Sequence, residues 1–221
     1  MKTIDAQKGS ALFRSAPLLL DRDLVLSDGQ PLVSGSTSDR LILVGRREGK
    51  RLAATLTQRM EALPRRSVLP IDCRQVHIMD ISFGDDAFTR LARGRKDDGR
   101  FFVLENVGEE LEANLDTLTK IRGFCCPCWL SDRNPSGGAA PANLPTILGD
   151  LGQEMRDTYG VAWQRGRITA RDLIEEMPGA KLTIAAASNR LNRLADEGVL
   201  VALEVEAIEG GGRQKVYAPI G

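Results

Sequence analysis

The sequence predicts two domains in series: an α/β domain with helices packed on a mixed sheet, then an α+β domain of three helices and a hairpin. Three observations carry this. Up to about residue 130, short apolar runs alternate with stretches whose apolar residues recur every three or four positions. Beyond residue 143, helical stretches follow one another and end in two strands around Gly210-Gly211-Gly212. Between these parts, residues 131–143 (SDRNPSGGAAPAN) place Pro135, Gly137, Gly138 and Pro141 where nothing large is available to bury, which is the composition of a linker.

Residues 1–40 form an N-terminal extension. Within it Leu24-Val25-Leu26 and Pro31-Leu32-Val33 flank Asp28-Gly29, a candidate β-hairpin that would extend the sheet. The α/β domain then covers residues 41–130. Leu41-Ile42-Leu43-Val44 is the first strand, and Leu52, Leu56, Met60 and Leu63 mark the apolar stripe of the helix behind it. Pro64 stops that helix, and residues 67–73 supply a second strand. Ala87, Phe88 and Leu91 then share one side of a helix over residues 85–93. The third unit repeats the theme, with Phe101-Phe102-Val103-Leu104 as the strand and Leu111, Leu115, Leu118 and Ile121 as the stripe of a helix over residues 109–121. Such alternation favours a partly parallel sheet.

The second domain is expected over residues 144–221. Pro145 suits a first helical turn, with Ile147, Leu148, Leu151, Met155 and Tyr159 behind it as a stripe. Thr169 followed by Asp172 reads as a capping box opening a short second helix, which Pro178-Gly179 ends. Thr183 opens a third helix that closes at Gly198. Val199, Val201, Leu203, Val205 and Ala207 alternate with Leu200, Ala202, Glu204 and Glu206 in a strand with one buried face, and residues 213–217 return as its partner.

Composition sets the outer limits. In 221 residues, 42% hydrophobic and 27% charged content is enough for packed cores, and argues against a collagenous or largely disordered chain. No apolar run approaches the ~20 residues of a membrane span, and Met1-Lys2-Thr3-Ile4-Asp5 lacks the apolar stretch of a signal peptide, so a cytoplasmic protein without membrane association is expected. Thirty basic residues balance thirty acidic ones, so a nucleic-acid partner must be met by a local patch.

The third helix of the second domain offers such a patch. At about 100° per residue, Ile184, Ala187, Leu191 and Leu194 fall on one side and Ala185, Ala186, Asn189, Asn192 and Arg193 on the other. Small residues let a helix approach base edges, Asn pairs with adenine, and Arg pairs with guanine or phosphate. Arg190 lies at the flank, aimed at phosphate, while Arg213 and Lys215 follow the glycine turn where a cation reaches the DNA backbone. The plan of three helices and a two-stranded ribbon, with SNRLNRLADEGVL (residues 188–200) and GGGRQKVY (residues 210–217), resembles winged helix-turn-helix transcription regulators over roughly a third of the chain. The resemblance implies double-stranded DNA as partner, read by the third helix, and paired half-sites imply a homodimer. Between residues 144 and 221, nine Lys/Arg face eleven Asp/Glu, so affinity per protomer is expected to be modest.

In the first domain, GRREGKRLAATL, SVLPIDCRQVHIMD, SFGDDAF and FFVLENVGEEL are together similar to the STAS-like domain family, relatives of the anti-sigma-factor antagonists. Ser82-Phe83-Gly84-Asp85-Asp86 keeps the family's Ser-Phe-Ala-Asp-Glu pattern with Gly for Ala and Asp for Glu, whereas Pro70-Ile71-Asp72 departs from it. The resemblance implies a regulatory, partner-binding or dimerisation module, with Ser82, Asp85 and Asp86 as candidate regulatory residues. In the related antagonists a serine in this place is phosphorylated. Here Asp80, Asp85 and Asp86 would repel a phosphate, and Ser82 is read as the cap of the following helix.

Two other classes bound the reading. A protein-interaction switch of the anti-sigma-antagonist type would use the winged helix as a docking module. A thiol or zinc sensor would use the C-x-x-C pair Cys125 and Cys128, completed by Cys73 and His77 if it held metal. The favoured reading keeps the four cysteines as buried thiols and His77 as a hydrogen-bonded core residue, with no cofactor. No nucleophile elbow, Walker loop or dinucleotide fingerprint is present, so an enzyme is not expected.

Overall fold

The computed structural model describes residues 13–14, 18–19, 41–131, 144–207 and 213–221. They fall into two compact units, Arg14–Leu151 and Gly152–Ile220. The candidate hairpin at Leu24–Val33, the linker beyond Ser131 and the glycine turn at residues 210–212 lie outside the described residues.

The first unit is mixed α/β, with helices packed on a mixed sheet. Strands β1 (Phe13–Arg14) and β2 (Leu18–Leu19) both lie along β4 (Ser67–Asp72), β2 in parallel. Strands β6 (Arg100–Val107) and β7 (Cys126–Leu130) continue the sheet in parallel. Strand β3 (Leu41–Leu43) does not join it, and pairs in parallel with β5 (Val76–Met79). The expected strand over residues 67–73 therefore ends at Asp72, and a second strand follows a turn. Asp72 makes that turn. Its carboxylate accepts from the Arg74 backbone N–H at 3.0 Å, Arg74 Nε at 2.9 Å and Asn106 Nδ2 at 2.9 Å, folding the chain back.

Helix α1 (Arg46–Glu61) buries Leu52, Leu56 and Met60, as their spacing predicts. Helix α2 (Ile81–Gly84) runs through a π-helical turn (Asp85–Thr89) into α3 (Arg90–Asp98), so the helix expected over residues 85–93 is longer and irregular. Helix α4 (Glu109–Arg122) buries Leu111, Leu115 and Leu118. Ile121, predicted to complete that stripe, is 61% exposed because it lies about 60° further round the helix than Leu118. The core joins Leu52, Leu56, Ile71, Met79, Phe83, Phe102, Leu104 and Leu118.

Strand β8 (Thr146–Leu148) corrects the domain boundary. It pairs antiparallel with β7, Ile147 opposite Pro127, and adds the only reversed strand among the pairings described for this sheet. Pro145, Ile147, Leu148 and Leu151 thus close the first unit instead of opening a helix, and the second unit begins at Gly152. An apolar pair such as Ile147-Leu148 fits a buried strand as well as a helical stripe. Gly149 then turns at φ 105°, where an added Cβ would lie 2.5 Å from the Phe124 carbonyl oxygen.

In the second unit, α5 (Gln153–Arg165), α6 (Ala170–Glu176) and α7 (Ile184–Asp196) precede a hairpin of β9 (Leu200–Ala207) and β10 (Arg213–Pro219). The capping box of α6 forms as predicted, Thr169 Oγ1 accepting from Asp172 N and Asp172 Oδ2 from Thr169 N at 2.8 Å. Arg165 ties α5 to α6 through Asp172 at 3.1 Å and Glu176 at 2.5 Å. An isolated bridge from Ile168 to Tyr217 attaches β10 to the helices. Leu200, expected on the open face of its strand, is fully buried beside Val199 and Val201. Tyr159, 1% exposed, donates its hydroxyl to the Ile220 carbonyl at 3.0 Å. Tyr159→Phe leaves that acceptor unpaired and is expected to cost about 1–2 kcal/mol in a denaturant titration.

Acid should weaken the first unit through Asp72. Its burial pushes the carboxyl pKa up, while hydrogen bonds from Arg74 and Asn106 more than offset this and hold it below its ordinary value of 3.8. A folded-state pKa below the unfolded one stabilises the fold at pH above the ordinary value, and that contribution disappears as pH falls through the lowered one. Thermal unfolding followed from pH 6 to 2 should show this loss, and Asp72→Asn should flatten that part of the profile.

Candidate nucleic-acid interface

Helix α7 is the rigid element of the candidate site. Thr183 caps it, its Oγ1 accepting from Ala186 N at 3.2 Å. Ala187, Leu191 and Leu194 are buried, as predicted. Ile184, expected with them, is 52% exposed because the first turn overhangs that core. On the opposite side Ala185, Asn189 and Arg193 are exposed and Ala186 is half-buried. Asn189 and Arg193 have no side-chain partner among the described residues. Asp196 also lies on this exposed stripe and subtracts from its positive character.

The structure places three other predicted residues differently. Asn192 is not free to read a base. Its Oδ1 accepts from Tyr217 Oη at 2.8 Å and Lys215 Nζ at 3.3 Å, so the oxygen needed to pair with adenine is already occupied. Its chemistry is that of a clasp between α7 and β10. Burial raises the Tyr217 pKa, with the Asp196 charge adding to it, so the phenol stays protonated and donates to that clasp. Arg190 is 18% exposed and ion-paired to Glu154 of α5 at 2.6 Å, which fixes the roll of α7 rather than presenting a cation to phosphate. The Arg213 side chain lies outside the described residues, although its backbone begins β10 opposite Ala207. Lys215 is exposed at the hairpin, as expected.

A groove of about 340 Å³ lies between α7, the start of α6 and β10, with Arg171, Ile184, Ser188, Asn192, Lys215 and Tyr217 among its walls. Sequence reasoning missed Arg171, an exposed cation on the first turn of α6. Its place two residues after the capping threonine was the available signal, since the second helix of such a plan packs beside the third. Arg171 and Lys215 thus stand on two sides of the groove, and Arg193 is exposed on the adjoining stripe of α7.

The candidate regulatory residues of the first unit are also rearranged. Asp80, not Ser82, caps α2, its Oδ1 accepting from Phe83 N at 2.5 Å, and Ser82 sits half-buried in the first turn. Asp85 accepts from Thr89 Oγ1 at 3.0 Å and from Arg122. Burial raises the Asp85 pKa, and those bonds more than offset it and leave it lowered. Asp86 faces Arg46 at 3.8 Å. The acidic crowding expected around Ser82 is therefore largely neutralised by Arg46 and Arg122.

Cys73, Cys126 and Cys128 belong to the core, whereas Cys125 precedes β7 and lies against Gly149. All four thiols are buried, and burial drives the Cys73 pKa far up, with Asp72 and Cys126 adding to it. His77 is not a core residue: its side chain is 29% exposed, with Nδ1 3.9 Å from Glu110. Among the described residues, no three His, Cys, Asp or Glu side chains come together as a metal site would require.

The class defined by fold and site is thus a mixed α/β unit followed by a unit of three helices and a hairpin with an exposed Asn/Arg helix face. No family model, curated protein or solved structure matches the chain. Among the described residues, no helix is long and apolar enough to cross a membrane.

Proposed function

We propose that this protein is a DNA-binding transcriptional regulator. In this reading the second unit is a winged helix-turn-helix domain and the first a STAS-like module for sensing, partner contact or dimerisation. The observation that carries the proposal is the exposed face of α7. Ala185 leaves room for base edges, Asn189 and Arg193 are unengaged, and Arg171 and Lys215 line the groove along the neighbouring Ile184–Ser188–Asn192 stripe of the same helix. Asn189 and Arg193 read bases in the major groove, while Arg171 and Lys215 hold phosphates. Asn192 and Tyr217 set the hairpin relative to α7, and Arg190 with Glu154 sets α7 relative to α5. With more acidic than basic residues in this unit, a single protomer binds modestly and two protomers on paired half-sites supply the remainder. Selection of bound sequences from a random duplex library, followed by gel retardation, tests this. A two-fold-related site retained at low salt is expected. No enrichment and no retention would remove the proposal in favour of a protein-docking role.

A further inference from the structure

Helices α1 and α2 of the first unit start side by side. One carboxylate fixes this: Asp80 accepts from Phe83 N through Oδ1 and from Gly45 N, ahead of α1, through Oδ2 at 2.8 Å. Gly49 lets α1 pass the Phe83 carbonyl, since an added Cβ would lie 2.4 Å from that oxygen. The π-helical turn Asp85–Thr89 then widens the second helix, as such turns often do at functional sites. A groove of about 550 Å³ opens beside it, within the size range of small-ligand sites.

Its walls are chemically uneven. Ala53 and Ala54 of α1 supply small side chains, and Lys50, Arg90 and Arg93 stand around them. None of these three cations has an acidic partner among the described residues. The groove's two acids do have partners: Asp85 is held by Arg122 and Asp86 faces Arg46. Among the described residues, the groove is therefore left with more cations than unpaired acids. Ala53 and Ala54 leave room beside the cations for the rest of a ligand larger than a bare anion.

We propose that this groove binds a small phosphate monoester. Lys50, Arg90 and Arg93 take the phosphate, and the ester group lies along Ala53 and Ala54. No bond is made or broken. The site lies wholly in the first unit and does not rest on the DNA-binding reading; where both hold, it is the regulator's input.

Calorimetric titration of the full chain at low ionic strength, with glycerol 3-phosphate, inorganic phosphate, glycerol and a short unrelated DNA duplex as probes, tests the proposal. Glycerol 3-phosphate is expected to bind most tightly of the small probes. Its affinity should fall about tenfold or more in Arg90→Ala/Arg93→Ala, and also in Lys50→Ala, a separate check on the other helix. Duplex binding should be unchanged in Arg90→Ala/Arg93→Ala. The proposal is overturned by absence of binding at millimolar glycerol 3-phosphate, by affinity unaltered in the alanine variants, or by glycerol binding equally well. Loss of duplex binding in Arg90→Ala/Arg93→Ala would also overturn it, by making the groove a nucleic-acid contact.

Discussion

Arg193→Glu/Lys215→Glu should abolish DNA retention, with affinity falling about 100-fold or more in fluorescence anisotropy. Arg193 projects from the exposed stripe of α7 and Lys215 from β10, so the two changes strike the position proposed to read bases and one proposed to hold phosphate. Each lost contact removes about 1–3 kcal/mol, and each glutamate adds repulsion against the phosphates. Both side chains are exposed, so the fold should survive, and an unchanged circular dichroism spectrum and melting temperature are expected alongside the lost binding. Lys215 also donates to Asn192, yet the same Asn192 oxygen keeps its shorter bond from Tyr217, so the clasp between helix and hairpin should persist. Arg193→Glu/Lys215→Glu binding as tightly as the wild type would place the DNA contact elsewhere.

Phe102→Ala should destabilise the first unit by about 3–5 kcal/mol in a denaturant titration. Phe102 is fully buried on β6, between β4 and β7, and its ring centroid lies 6.0 Å from that of Phe88. Truncation leaves a cavity at the contact between sheet and helix, which close-packed neighbours fill only in part. A domain is stable by only about 5–15 kcal/mol, so this loss brings the unit near its unfolding threshold. Phe102→Leu, which keeps most of the volume, should cost much less.

Much of this fold is written in local periodicity. Leu52, Leu56 and Met60 gave α1, Leu111, Leu115 and Leu118 gave α4, and Thr169 with Asp172 gave the start of α6, because each signal spans a single element. Ile147 and Leu148 were misleading because two apolar neighbours carry no period, and only the pairing of β8 with β7 fixes them as strand. Ser82 and Asp80 both suit a helix start, and which of them caps α2 depends on a boundary that shifts by two residues.

The candidate interface was legible as a helix face but not as a set of free side chains. A helical wheel puts Asn192 on the outward side, yet whether its oxygen is available depends on Tyr217, a hydrogen bond that spans 25 positions of sequence. Arg190 is engaged by Glu154, 36 positions away. The groove of the first unit was invisible for a related reason. Lys50 and Arg90 belong to different helices, and the π-helical turn beside them has no sequence signature of its own.

The most direct measurement is the salt dependence of binding to a selected duplex, for the wild type and for Arg193→Ala. Wild-type affinity should fall linearly in log–log form as salt rises, and removing the base-reading Arg193 should weaken binding by about 1–3 kcal/mol while leaving the slope nearly unchanged. An affinity indifferent to salt, or an affinity untouched by Arg193→Ala, would contradict the assignment of α7 as the DNA-reading element.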